Sequence, residues 1–204
     1  MPRVKIPRKS TAIDMTAMCD VAFLLLTFFI LTAKPRTDDP VPVDQPASTI
    51  NEQLPESDVA VLTVGQKKVF FGVEGPKVRE ELLKQMGAKY KIEFTQTEVN
   101  QFVALNSFGV DINNLKQFLA LSAEDKKNYV QPGIPIDTTE TSQFYDWVRE
   151  ARKVNANLNQ KELKIAIKGD SKEEYPTIAM MIKALQKQKV NKFALITNVK
   201  SALK

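Results

Sequence analysis

Histidine is absent from this sequence and cysteine occurs once. With no imidazole there is no His-based triad, no histidine proton relay and no mixed Cys/His zinc site, and a lone thiol closes no disulfide within the chain. Proton chemistry in this chain therefore falls to carboxylates. Charge of one sign is not gathered anywhere either: the net charge of +5 comes from 29 Lys and Arg set against 24 Asp and Glu. Apart from Arg3, Lys5, Arg8 and Lys9 at the start, the basic residues are scattered, which argues against a nucleic-acid interface. Phosphate-loop spacing is missing as well. The glycine-containing stretch GVEGP at 72–76 does not have it, and the acidic pairs Glu80–Glu81 and Glu173–Glu174 fall where solvated helix turns normally do. No catalytic constellation, metal cluster or cofactor motif emerges, so the expectation is a protein that is not an enzyme. At 204 residues and 43% hydrophobic, the chain has room for one or two domains with a real core.

Long apolar runs are scarce too, and the exception carries the argument. Residues 15–33 read MTAMCDVAFLLLTFFILTA, with Asp20 the sole charged side chain. A helix of that length rises about 28 Å, close to the roughly 30 Å of a bilayer's hydrocarbon core. An aspartate costs roughly 2.5–3.5 kcal/mol at the centre of an inserting helix. The nine Val, Phe, Leu and Ile residues between positions 21 and 31 offset about 3–5 kcal/mol, and Asp20 lies nearer the N-terminal end. The segment can insert with its carboxylate.

Four basic residues precede the span, whereas Lys34 and Arg36 beyond it are followed by Asp38, Asp39 and Asp44, so the positive-inside tendency keeps the N-terminus cytoplasmic. Two structural alternatives compete. One is a cleavable signal peptide ending near Ala33, against which stands the polar lead 14–20 between the basic start and the apolar run. The other is a core helix of a soluble protein, against which stands the abrupt stop at Pro35 and the prolines after it.

On a helical wheel Asp20 shares a stripe with Ile13, Thr16, Leu24 and Thr27, with Ala17 nearby, while Phe28 and Phe29 fall largely off it. An intramembrane ionisable group normally faces a protein interior or a water-filled path and marks an ion pathway. One span cannot enclose such a path, so other helices are required. A carboxyl group is neutral against apolar surroundings and ionised beside a polar partner, so each proton gained or lost changes which surroundings the helix prefers. The structural alternative is an aspartate that only hydrogen-bonds a neighbouring helix.

The stretch AIDMTAMCDVAFLLLTFFILTA, residues 12–33, resembles the single transmembrane helix of the ExbD/TolR family, inner-membrane subunits of proton-driven motors whose pattern is N-x-T-P-x-x-D followed by an apolar run. Asp20 falls on the family's essential Asp and Thr16 on its Thr. Asp14 replaces the Asn and Ala17 the Pro, which removes the basis for a proline kink. The resemblance implies proton transfer at Asp20 with Thr16 in support; the helical stripe adds Thr27 to that polar face, and Asp14, at the family's Asn position, is a further candidate. It also implies an ExbB-like multi-helix membrane subunit as an oligomeric ring around the span, a second copy of this chain, and a TonB-like periplasmic partner, in service of TonB-dependent outer-membrane transport. A TolR-like or other stator role in envelope integrity or motility is the alternative within the family. A membrane-anchored or secreted periplasmic binding protein is the alternative outside it.

The remaining chain divides by composition. Residues 1–11 form the cytoplasmic tail and 12–33 the span. Residues 34–58 carry prolines at 35, 40, 42, 46 and 55 without apolar periodicity and read as a linker, able to reach up to roughly 75 Å where extended like polyproline. Residues 59–204 form the periplasmic domain. VAVLTV at 59–64, a turn at Gly65–Gln66 and KKVFFG to Gly72 suggest a hairpin, and a helix opens at Pro76. A strand at 163–169, a helix at 175–189 and a strand at 192–199 suggest a parallel crossover unit. These two blocks, with KGD at 168–170 and Tyr175, are similar to the family's periplasmic domain. Between them, about 91–158 reads as a helical insertion, with Ser122 as an N-cap and Phe144, Trp147 and Val148 as a packing face. The fold class expected is α+β: one N-terminal transmembrane helix, a linker, and a periplasmic α+β domain with a helical insertion.

Overall fold

A computed structural model describes residues 15–33, 40–48, 57–136, 142–170 and 175–199. The tail at 1–11, Asp14 and parts of the linker lie outside the described residues. The chain separates into two units, Met1–Thr37 and Asp38–Lys204.

In the first unit α1 runs Met15–Thr32 with a mean hydropathy of 2.0 and no buried residue, long and apolar enough to cross a membrane. At about 1.5 Å per residue its 18 residues rise about 27 Å. Lys34 and Pro35 follow at once in the sequence.

The second unit is mixed helix and sheet. In chain order it contains β1 (Ala47–Ser48), β2 (Val59–Gly65), β3 (Lys68–Val73), α2 (Pro76–Tyr90), α3 (Gln96–Ala104), α4 (Ile112–Ala120), α5 (Ala123–Asn128), α6 (Gln143–Asn159), β4 (Lys164–Gly169), α7 (Tyr175–Lys187), β5 (Phe193–Ile196) and β6 (Asn198–Val199). The main sheet has the order β3-β2-β4-β5, with β2 antiparallel to β3 and parallel to β4, and β4 parallel to β5. The hairpin turns at Gln66 and Lys67, one residue later than the sequence suggested: Gly65 still pairs with Lys68 inside the ladder. Both turn residues have positive φ, 54° and 60°, the geometry whose twist suits a two-residue hairpin.

Alternation along the strands assigns the faces. Ala60, Leu62 and Val64 of β2, Val69, Phe71 and Val73 of β3, and Ile165 and Ile167 of β4 join one buried cluster with residues from α2, α3, α4, α6 and α7. All these helices therefore cover one face of the sheet. The helices start where side chains satisfy their first N–H groups: Thr95 and Glu98 form a reciprocal capping box on α3, and Asp111, Ser122 and Ser142 cap α4, α5 and α6. Ser122 is the N-cap expected from the sequence, and it splits the expected helix there into α4 and α5.

Residues 91–158 do not form a separate body. Phe108 and Trp147 from this segment meet Phe71 of β3 and each other, edge to face at 4.8 Å between ring centroids, and Phe102 packs on both of them. Phe144, Trp147 and Val148 are fully buried, as expected, whereas Tyr145 is only half-buried. The segment also closes the β3 edge. Phe71 and Phe108 exchange backbone hydrogen bonds of 2.8 and 2.9 Å, and the Ile134 N–H donates to the Val69 carbonyl at 2.8 Å. Among the described residues no strand lies beyond the opposite edge, β5, which exposes Phe193 and Leu195. The expected strand at 192–199 is interrupted at Thr197, where the chain leaves the main sheet and β6 pairs with β1 instead.

Candidate functional site

Helix α1 fixes the spacing of the polar stripe. Thr16 lies one turn before Asp20, about 6 Å along the axis, and Thr27 two turns after it, about 10 Å along. The helix thus brings Thr16 beside Asp20 but leaves Thr27 a full turn beyond reach, with Leu24 between them. Asp20 is exposed and its carboxylate has no hydrogen-bond or ion-pair partner among the described residues. Next to it Cys19 is a free, exposed thiol.

The threonine hydroxyls add a detail that helical spacing does not show. Thr27 donates its hydroxyl hydrogen to the Leu24 carbonyl at 2.9 Å, so what it offers to the stripe is an acceptor oxygen. Thr32 does the same to the Phe28 carbonyl at 2.8 Å, on a different side of the helix. Such back-bonding lets a hydroxyl sit in an apolar helix without an unpaired donor. Asp14 lies outside the described residues.

The second unit contains buried and half-buried ionisable groups, and those with marked partners have a structural explanation. Asp146, 4% exposed in the first turn of α6, accepts a hydrogen bond from Tyr90 Oη at 2.9 Å and an ion pair from Lys89, tying α2 to α6. Burial first, and the Asp146 carboxylate second, push the Tyr90 phenol above its ordinary value. Glu150 is flanked by Arg149 and Lys153. Arg79 donates to the carbonyls of Val73 and Val103 at 2.7 and 2.9 Å, binding the end of β3 to that of α3, and burial lowers its guanidinium from its ordinary value. Asp58, with φ of 60°, accepts from Asn159 Nδ2 at 2.7 Å and from Ser57 Oγ at 3.2 Å, and its backbone carbonyl receives the Lys164 N–H. These groups hold elements together and none converges on an enclosed cleft. No group of three or more metal-ligating side chains occurs among the described residues. The segment KGD ends β4 at Gly169, and Tyr175 opens α7.

Compared with known proteins, the chain matches the family model described as Biopolymer transport protein ExbD/TolR over residues 7–199, a range that encloses both the apolar helix and the segment 91–158. No curated protein and no solved structure matches it. Members of that family are accessory subunits that energise biopolymer transport together with membrane partners, rather than enzymes. With the match running over nearly its whole length and one N-terminal helix fit to cross a membrane, the chain belongs to the ExbD/TolR family.

Proposed function

We propose that this chain is the proton-motive-force-transducing subunit of an ExbB–ExbD type inner-membrane motor that energises TonB-dependent outer-membrane transport. Asp20 is its proton-transfer group, with Thr16 beside it, Thr27 further along the same polar face, and Asp14 as a further candidate. The observation that carries this reading is a carboxylate on an apolar helix with no partner among the described residues. A charge so placed is costly in lipid, and helices of other subunits are what can enclose it. An ExbB-like ring and a second copy of this chain supply that enclosure.

Energy enters through the field. Moving one charge across 100 mV is worth about 2.3 kcal/mol, enough to bias by more than tenfold which surroundings the helix prefers. Protonation at one side and release at the other would turn that bias into cyclic motion of α1, passed by the linker to the domain at 59–204. In this reading the basic start keeps residues 1–11 in the cytoplasm, 12–33 span, and the domain lies in the periplasm. The β5 edge, with Phe193 and Leu195 exposed and no further strand beside it among the described residues, suits addition of an extended segment from a TonB-like partner or a second copy.

The test is proton-motive-force-dependent nutrient uptake in cells carrying Asp20→Asn, nearly isosteric but unable to ionise, with membrane levels checked in parallel. Loss of uptake at normal levels supports the reading. Normal uptake with new detergent sensitivity places the chain in a TolR-like envelope role. A mature protein lacking residues 1–33 by mass removes the motor reading and leaves a secreted binding protein.

A further inference from the structure

Asp20 does not sit midway along α1. At about 1.5 Å per residue it lies roughly 8 Å from the helix start at Met15 and roughly 18 Å from the end at Thr32. The short leg holds Thr16. On the long leg the stripe through Asp20 runs Leu24, Thr27 and Leu31, so Thr27 is its one polar side chain between Asp20 and the end of the helix. Thr32, the other hydroxyl on that leg, stands about 120° around the helix from Asp20. Both hydroxyls have committed their hydrogen, Thr27 to the Leu24 carbonyl at 2.9 Å and Thr32 to the Phe28 carbonyl at 2.8 Å. Yet only Thr27 is half-buried, while the rest of α1 is exposed. Helical spacing sets it in a notch between the longer Phe23, Leu24, Ile30 and Leu31. Thr27 therefore presents a recessed oxygen that accepts and does not donate.

We propose that Thr27 is a positioning residue that holds an excess proton, as a hydronium, on the long leg of the path to Asp20. This inference rests on the proton-transfer role proposed for Asp20. A hydronium carries three O–H donors, and away from bulk water its charge is costly unless acceptors meet them. The apolar side chains of the long leg offer none, and the helix's own carbonyls are already bonded. Thr27 offers one, and with its hydrogen held by Leu24 it does not compete as a donor. The roughly 10 Å from Thr27 to Asp20 is spanned by about three waters at about 2.8 Å per O–H···O step. Each hop along that file breaks one O–H bond and forms the next. The proton ends on the Asp20 carboxylate, the file returns to neutral water, and Thr27 keeps its own hydrogen throughout. Thr32 has the same chemistry but faces away from the stripe, so it takes no part.

The test is potential-driven proton flux into vesicles containing the complex assembled around this chain. Native chain is compared at equal assembly with Thr27→Val, Thr27→Ala, Thr27→Ser and Thr32→Val, with Asp20→Asn as the reference. Loss of one hydrogen bond to a charged species should slow flux about tenfold or more in Thr27→Val and Thr27→Ala. Thr27→Ser keeps the acceptor and should retain most of the flux, and Thr32→Val should match the native chain. Side-specific pH separates this role from packing: acidifying the compartment at the C-terminal end of α1 should narrow the Thr27→Val deficit, and acidifying the other compartment should not. Native flux in both hydroxyl-free variants, an equal deficit in Thr32→Val, or a deficit that pH on neither side alters would overturn the role of Thr27 alone, with Asp20→Asn still inactive. Full flux in Asp20→Asn would overturn the reading of Asp20, and the role of Thr27 with it.

Discussion

Phe108 exchanges two backbone hydrogen bonds with Phe71, at 2.8 and 2.9 Å, so the segment 91–158 is stitched to the edge strand of the sheet and is not hung beside it. The neighbouring Gly109 makes this close approach possible. A methyl there would stand 2.3 Å from Phe70 Cδ1, inside contact distance with a fully buried ring. Gly109→Ala is therefore expected to destabilise the domain by about 1–3 kcal/mol through overpacking. The single tryptophan, Trp147, is fully buried in the aromatic cluster, and its fluorescence during urea unfolding reads the change.

The Tyr90–Asp146 bond joins α2 to α6 beside the Lys89 ion pair. Tyr90→Phe removes one hydrogen bond to a charged acceptor and should cost about 1.5–3 kcal/mol. Because the phenol's value is raised on folding, its contribution is complete below the ordinary tyrosine value near 10 and is lost as pH climbs above it. Urea midpoints measured from pH 8 to pH 11 should fall more steeply for the native chain than for Tyr90→Phe.

Asp58 gives the opposite slope. The hydrogen bond from Asn159, foremost, holds its carboxyl below the ordinary carboxylate value. A depressed value means stability that is complete above the unfolded value near 4 and disappears as pH falls through the folded one. Asp58→Asn keeps the left-handed backbone accessible and removes the charge. Thermal midpoints between pH 6 and pH 3 should decline less in that variant than in the native chain.

What the sequence reveals here follows from how far each signal repeats. The apolar helix, the hairpin and the β4-α7-β5 crossover announce themselves through periodicity over many residues, and Asp20 through contrast with its surroundings. The hairpin turn is offset because Gln66 and Lys67 take positive φ without a glycine or asparagine to mark it. The packing of Val41 and Val43 over Gly65 and the β1–β6 pair are illegible for a physical reason: alternate prolines mimic a free linker, and β1 and β6 are two residues each, too short for any pattern. Nor does periodicity show the stretches near Phe108 and Ile134 that close the β3 edge, since single backbone bonds do the work there. At the site, helical spacing yields the stripe Thr16, Asp20 and Thr27, but not that the hydroxyl hydrogen of Thr27 is committed to Leu24.

The central claim is that Asp20 works by exchanging protons. Its most direct measurement is proton flux into vesicles containing the complex assembled around this chain, with an imposed potential and a pH-sensitive dye, comparing native, Asp20→Asn and Asp20→Glu. The account predicts that Asp20→Asn abolishes potential-driven flux at equal assembly, while Asp20→Glu, which still ionises, retains part of it. Undiminished flux through an assembled Asp20→Asn complex would contradict it.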